Sequence, residues 1–332
     1  MKIHVTGARG FLGQHVVAAL ERRGARVRAL GRQDGDLRDP ATAERLLADA
    51  DTIVHLAADV GGVGYLRSCA GRAFHDNFRL GLNVIRAATR GSAGRVVLAG
   101  TPCAYSGDVP LPLEEGALAE GVPSGDTGSY GYAKLASSLA AEAFLEMSGR
   151  DTVTVIPSNL YGPGDAFDTG RGHVVAALVR KALVAAATGR QTFEVWGDGS
   201  ATRDFVYVGD VAEGIAAITL DPRPFAGAAF NLASGRETSI REVAEAVARA
   251  TGSRIRPRFL ADKPVGYTRR AMSVDRAAAA VGYRAATALD EGLARTVAWL
   301  RSTGRLAAWL EEERPEVAPL PGADRRELQR AA

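Results

Sequence analysis

The sequence predicts an α/β protein built on a doubly wound parallel sheet, with a smaller C-terminal α/β lobe. Three observations carry this. Short apolar runs alternate with helical patterns through the first half of the chain, as repeated β-α units require. A glycine-rich turn, Gly7-Ala8-Arg9-Gly10-Phe11-Leu12-Gly13, follows the first run and opens the first helical pattern. Beyond Tyr161-Gly162-Pro163-Gly164-Asp165 the alternation breaks, which is where a second lobe would begin.

Taken in order, Ile3-His4-Val5 reads as a strand with its helix over Gln14 to Arg23, and Val27-Arg28-Ala29-Leu30 as a strand with its helix over Ala41 to Ala48. Ile53-Val54-His55-Leu56 is followed by a helix over Phe78 to Arg90. Val96-Val97-Leu98-Ala99 and Val153-Thr154-Val155-Ile156 add two strands around a helix over Tyr130 to Met147. Right-handed crossovers put the strand ends on one rim, so Gly7, Ala57, Thr101 and Pro157 should meet there. A helix from about His173 to Ala187 and the turn Trp196-Gly197-Asp198-Gly199 come next. Asp204 to Val208 and Phe230-Asn231-Leu232 are expected to return to the main sheet. The expected division is therefore residues 1–164 with 202–233 as one domain, and 165–201 with 234–311, including a helix over Ile240 to Ala250, as a substrate lobe. Residues 312–332 are proline- and charge-rich and read as a mobile tail.

Composition narrows the function. With 46% hydrophobic residues over 332 positions the chain can bury a large core. The formal charge is only +3, and the basic residues are scattered among 38 acidic ones, so no nucleic-acid footprint is expected. Cys69 and Cys103 are too few for a disulfide framework, and no Cys/His cluster has metal-ligand spacing. Met1-Lys2 runs straight into the first strand and no apolar stretch reaches the ~18 residues of a membrane span. A cytoplasmic protein without a membrane segment is the expectation.

The turn Gly7-x-x-Gly10-x-x-Gly13 allows a tight bend, close backbone approach to a pyrophosphate, and anion binding at the helix N-terminus. An acidic residue ending the second strand would hold a ribose 2′-hydroxyl, but here Leu30 is followed by Gly31 and Arg32. Arg9 and Arg32 together favour a 2′-phosphate, hence NADP(H) over NAD(H). The alternative is two surface positions in an arginine-rich chain. Asp36-Leu37 would lie beside the adenine.

Only four of the 41 basic residues are lysines, and one closes the run Tyr130-Gly131-Tyr132-Ala133-Lys134. Residues four apart on a helix lie one above the other, so Lys134 would sit beneath the Tyr130 phenol. Using tyrosine as a base near neutrality means stabilising its phenolate by about 3 pH units, roughly 4 kcal/mol, which a fixed ammonium can help supply. The alternative is a surface helix bearing an unrelated aromatic and charge.

With His55-Leu56-Ala57-Ala58 and Asn159-Leu160-Tyr161-Gly162-Pro163-Gly164, these residues resemble the extended short-chain dehydrogenase/reductases that act on nucleotide sugars. The resemblance covers about residues 1 to 300 and implies a Rossmann-like domain with a substrate lobe. Ala58 to Gly64 and Gly100-Thr101-Pro102-Cys103-Ala104-Tyr105 look like the branch of GDP-L-fucose synthases and GDP-mannose 3,5-epimerases, which implies a GDP-hexose substrate. In the sugar 4,6-dehydratases of the family an Asp-Glu pair follows the position of Thr101, where Pro102-Cys103 stand here. Epimerising two carbons beside a C4 ketone requires groups on both faces of the ring. Carried over from the family, Cys103 would be the base, His173 the opposing acid, Thr101 a hydroxyl on the C4 oxygen, and Tyr130 with Lys134 the acid or base for that oxygen. The resemblance implies a cofactor bed of Gly7, Arg9, Gly10, Phe11, Leu12, Gly13, Arg32, Asp36, Leu37, Leu56, Ala57, Ala58, Tyr130, Lys134, Pro157, Asn159, Leu160 and His173. It implies a substrate bed of Gly61, Gly62, Asn159, Lys181, Trp196, Arg203, Lys263 and Arg269, with Trp196 against the base and the cations near the diphosphate. A homodimer through the helices around Phe78 to Arg90 and Tyr130 to Met147 is expected by the same analogy.

The leading expectation is an epimerase-reductase that inverts C3 and C5 of a GDP-4-keto-6-deoxyhexose and then reduces C4 with NADPH. Two alternatives stand beside it: a redox-neutral GDP-mannose 3,5-epimerase that retains its cofactor, and a non-catalytic NADP(H)-sensing regulator on the same fold. The complete set Thr101, Cys103, Tyr130, Lys134 and His173 speaks against the regulator.

Overall fold

The computed structural model describes residues 1–167, 172–263 and 265–312; the tail expected from residue 312 falls, past Glu312, outside them. The first half reads β1 (Lys2–Thr6), α1 (Phe11–Arg22), β2 (Arg26–Leu30), α2 (Pro40–Leu47), β3 (Thr52–His55), α3 (Val63–Ser68), α4 (Ala70–Arg90), β4 (Arg95–Ala99), α5 (Gly128–Glu146) and β5 (Asp151–Pro157). The second continues with β6 (Asn159–Tyr161), α6 (Val174–Ala187), β7 (Thr192–Trp196), β8 (Thr202–Tyr207), α7 (Val208–Leu220), β9 (Ala229–Leu232), β10 (Glu237–Ser239), α8 (Ile240–Ala250), β11 (Arg256–Leu260), β12 (Arg269–Arg270), α9 (Asp275–Val281), α10 (Leu289–Ser302) and α11 (Arg305–Glu312).

Six strands form the central sheet in the order β2-β1-β3-β4-β5-β9, every pair parallel. The strand order reverses between β1 and β3, and a ligand crevice opens outside the carboxyl ends of such strands. Each face of the sheet has its own core. Ile3, Val5, Val54 and Val97 pack against α1 and α7 through Val16, Leu20, Val211 and Ile215 on one side. Ile53, Val96 and Leu98 pack against α2 and α4 through Leu46, Leu47, Val84 and Ile85 on the other. Strands buried on both faces explain the continuous apolar runs of the sequence. The second lobe has a separate core in which α6, α8 and α10 meet through Val179, Leu183, Val247 and Leu293.

Two expectations need correction. Strand β8 does not return to the central sheet with β9; it pairs with β10, β12 and β6 in a smaller four-stranded sheet. The cause is at Ser158, where the chain leaves β5 and immediately forms β6, which offers β8 a parallel partner over Asn159–Tyr161 while β9 takes the place beside β5. The helix before β4 also starts at Ala70 rather than near Phe78.

Asp204 joins the two sheets. Its side chain is fully buried and accepts hydrogen bonds from the Ser234 amide and hydroxyl, both at 2.8 Å, and from the Gly235 amide at 2.9 Å. Its carbonyl accepts from the Ser158 hydroxyl at 2.8 Å and the Asn159 side-chain amide at 2.9 Å. Asp204→Ala strands three donors in the interior, so equilibrium unfolding in urea should show a loss of about 2–4 kcal/mol.

Candidate active site

A cleft of about 2360 Å³ lies between the carboxyl ends of the central strands and the second lobe. Its wall includes the Gly7–Gly13 turn, Thr101, Cys103, Tyr130, Lys134, Pro157, Asn159, His173, Lys181, Trp196 and Arg203. The rim residues expected to meet, Gly7, Ala57, Thr101 and Pro157, all line it.

The end beside β1 and β2 suits a dinucleotide. Gly7 adopts φ +68°, and a Cβ there would sit 2.6 Å from the Ala57 nitrogen; one on Gly13 would sit 2.1 Å from the Gly7 carbonyl oxygen. These contacts require glycine and hold α1 against the sheet. Gly10 caps α1 with no side chain on the helix end, leaving its amides directed at the cleft for an anion. Arg9 and Arg32 line this end, are exposed, and form no hydrogen bond or ion pair with another described residue, although Arg32 is close enough to Asp36 to help lower its carboxyl. Leu56, Ala57, Ala58 and Leu160 complete the bed. Asp36 and Leu37 line it as well, although the Asp36 carboxylate is bound by the Arg38 guanidinium at 2.8–3.1 Å, which holds it below the usual carboxylate range. Gly61 and Gly62, on the loop that enters α3, border the cleft next to Tyr65.

The side chains expected to react gather where α5 meets the exit of β4. Thr101 is buried and accepts a 3.3 Å hydrogen bond from the Cys103 amide, which opens a 3-10 turn over Pro102–Ala104. Helix α5 presses on that turn: a Cβ on Gly131 would lie 2.0 Å from the Cys103 carbonyl oxygen. Tyr130, on the same helix, packs against Leu66 and Ala73, with Cys103 beside the cluster. Lys134 lies one turn along, 5% exposed. Burial pushes the Tyr130 phenol well above its ordinary range, reinforced by Cys103, which favours the protonated phenol. Burial also brings Lys134 down to about 8. Beneath them His55 is brought down to about 3, by burial first and by Lys134 second; its Nδ1 lies 2.8 Å from the Thr6 hydroxyl. It is a neutral structural ring.

His173 faces this group from the second lobe as the N-cap of α6, its side chain 45% exposed. Farther along, the Lys181 ammonium lies 5.7 Å from the centre of the Trp196 ring and donates to the Glu194 carbonyl at 3.2 Å. Burial lowers both Lys181 and Arg203 from their ordinary values. Arg203 donates to the carbonyls of Val265, at 3.2 Å, and Tyr267. Two expected substrate residues lie elsewhere. Arg269 turns away to pair with Glu237 at 2.6–2.7 Å, and its neighbour Arg270 lines the cleft instead. Lys263 is outside the lining, 3.8 Å from Asp262 on the surface.

Three residues that shape the site went unread in the sequence. Arg270 donates to the carbonyls of Ser106, Pro102 and Tyr105 at 3.2–3.4 Å and so fixes the turn that carries Cys103. Asn77 accepts from the Asp59 amide and donates to the Asp59 carbonyl, both at 2.9 Å, holding the loop after β3. Asn83 donates to the Leu37 and Arg38 carbonyls at 2.9 Å, holding the adenine-side loop. The available signal was two asparagines on the apolar face of one helix.

Residues 3–233 match the NAD dependent epimerase/dehydratase family. The chain belongs to that family. A GDP-L-fucose synthase of Sinorhizobium fredii is 31% identical over 297 residues, covering 89% of this chain and 94% of the relative. The GDP-L-fucose synthase of Escherichia coli is 29% identical over 308 residues, covering 90% and 96%. A crystal structure of a GDP-L-fucose synthetase from Naegleria fowleri bound to NADP superposes with a TM-score of 0.82 at 24% identity, covering 92% of this chain and 93% of that one. The family makes this protein an NAD(P)-dependent nucleotide-sugar epimerase/reductase, and the glycine turn with its uncapped helix end fits the dinucleotide.

Lys134 gives this family member a pH signature. Its folded value of about 8 lies below the ordinary lysine value of 10.5, so between these limits the unfolded chain binds the extra proton and stability rises with pH. Lys134→Met should abolish that rise and, at pH 7, stabilise the fold by about 1–3 kcal/mol while removing activity. Urea titrations from neutral pH to pH 10.5 check both.

Proposed function

We propose that the protein inverts C3 and C5 of a GDP-4-keto-6-deoxyhexose and reduces its C4 carbonyl with NADPH. The observation that carries this reading is Cys103 on the central-domain wall beside Tyr130 and Lys134, with His173 on the opposing lobe. The names of relatives covering nine-tenths of the chain support the GDP-sugar class. Arg9 and Arg32, cationic and exposed at this end of the cleft, support a 2′-phosphate and hence NADP(H). Lys181 and Arg203 supply charge for a diphosphate and Trp196 a face for the base.

In this mechanism the Cys103 thiolate takes a proton from the carbon beside the ketone. The C–H electron pair moves onto the C4 oxygen, where the Thr101 and Tyr130 hydroxyls donate hydrogen bonds. The His173 imidazolium returns a proton to the opposite face and becomes neutral imidazole. Exchange with water then removes the proton from Cys103 and restores one to His173, and the sequence repeats at the second carbon. Bound NADPH supplies the hydride for C4. Tyr130 gives its proton to the resulting alkoxide, and the Lys134 ammonium stabilises the phenolate left behind.

Purified protein incubated with GDP-4-keto-6-deoxymannose and NADPH should consume one NADPH per sugar at 340 nm, with inverted C3 and C5 by NMR. Cys103→Ser and His173→Gln should lower inversion by about 10²–10⁴-fold. Turnover of GDP-mannose to its epimers without NADPH loss would instead identify a redox-neutral epimerase.

The outer faces of α4 and α5 expose Phe74, Leu82, Tyr132, Leu139 and Phe144, an apolar patch suited to a second copy of the chain. Light scattering should give about twice 34.8 kDa, and Leu139→Glu with Phe144→Glu should give the monomer.

A further inference from the structure

We infer that Asp165 is the positioning partner of His173, orienting its imidazole and balancing the charge of the imidazolium as it delivers a proton. The inference rests on the acid role proposed above for His173. Asp165 follows two glycines in left-handed or unusual backbone, Gly162 at φ +151° and Gly164 at φ +88°, and a Cβ on Gly164 would sit 2.0 Å from the Gln14 side chain. The turn therefore favours glycine at both positions, and it buries Asp165 to 3% exposure.

Among the described residues the carboxylate is under-satisfied for so buried a group. Among them Oδ1 accepts one hydrogen bond, from the Ala166 amide at 2.7 Å, and lies 3.6 Å from His173 Nδ1. Oδ2 is buried with no hydrogen-bond partner among the described residues. Desolvating a carboxylate is costly unless a positive or donor group compensates, and an unsatisfied buried polar atom in a native fold calls for a functional reason. Three other basic side chains around this turn, among the described residues, are engaged elsewhere. His15 meets the Pro163 carbonyl at 2.8 Å, Arg180 is bound to Glu312 and to the Phe167 carbonyl, and Arg305 lies over the Trp299 ring. Among the described residues His173 is the basic side chain within ion-pair distance of Asp165.

A 3.6 Å separation is longer than a hydrogen bond, and catalytic hydrogen bonds tighten in the substrate complex. A small rotation of the ring brings Nδ1–H to the carboxylate and leaves Nε2–H directed into the cleft. The proton transferred to the sugar comes from Nε2, the next one comes from water to Nε2, and none is routed through Asp165.

Asp165→Asn, Asp165→Glu and His173→Gln, each as full-length protein, are followed in D2O with GDP-4-keto-6-deoxymannose by NMR, with thermal unfolding alongside. Inversion on Asp165→Asn should fall about 10–100-fold with KM little changed, and Asp165→Glu should recover part of it. Deuterium exchange with retention, which needs only Cys103, should persist, and the pH profile of inversion should change. Wild-type inversion and pH profile in Asp165→Asn, with inversion lost in His173→Gln, overturn the role of Asp165 alone. Undiminished inversion in His173→Gln overturns the acid role on which it rests. Parallel loss of inversion, retentive exchange and thermal stability in Asp165→Asn makes Asp165 a structural residue and overturns the inference.

Discussion

The site depends on how closely α5 approaches the exit of β4. Gly131 allows it: any side chain there would collide with the Cys103 carbonyl, a backbone atom that cannot swing aside. Because Tyr130 and Lys134 flank Gly131 on the same helix, one close contact sets three groups at once. Arg270 secures the other side of the contact by holding the carbonyls of Pro102, Tyr105 and Ser106. Small displacements of reacting groups cost rate steeply, so a helix pinned to a braced turn is a mechanical requirement of the chemistry.

The same packing makes the site electrostatically expensive. Lys134, Tyr130 and His55 are nearly removed from water, and burial moves each toward its neutral form. A neutral phenol is what a carbonyl reduction needs as a proton donor, and the low-dielectric surroundings strengthen its hydrogen bond to a developing alkoxide. Stability is given up locally so that charge appearing on the substrate meets groups already aimed at it. Asp204 and the two sheet-facing cores restore rigidity at a distance.

Much of this was legible in the sequence, and the failures have physical causes. Strands β1, β3, β4 and β5 stood out because a parallel sheet buries both faces of its inner strands and leaves apolar runs. The glycine turn was readable because positive φ and backbone contacts admit few other residues. Strand β8 was misplaced because its apolar character reports burial, not partner: Phe205 packs in the core of the second lobe and Val206 in that of the central domain. The choice of Arg269 over Arg270 shows how a strand can mislead by one residue, since neighbouring side chains face opposite ways. Asn77 and Asn83 were hidden because asparagine on a buried helix face reads as a flaw in the apolar pattern until the loops it holds are visible.

The two lobes divide the work along lines that topology dictates. The central sheet offers what its carboxyl rim carries, which is a glycine turn, a hydroxyl, a thiol and a phenol, all on one wall of the cleft. On the proposed mechanism, proton delivery to the other face of the sugar needs a group from beyond that rim. The proposal finds it where the chain turns through Gly162 and Gly164, buries Asp165 and starts α6 at His173. The same helix then carries Lys181 along the second lobe to Trp196. On the proposed mechanism, one helix thereby couples the grip on the nucleotide to the position of the opposing acid, because His173 caps α6 and Lys181 lies on it.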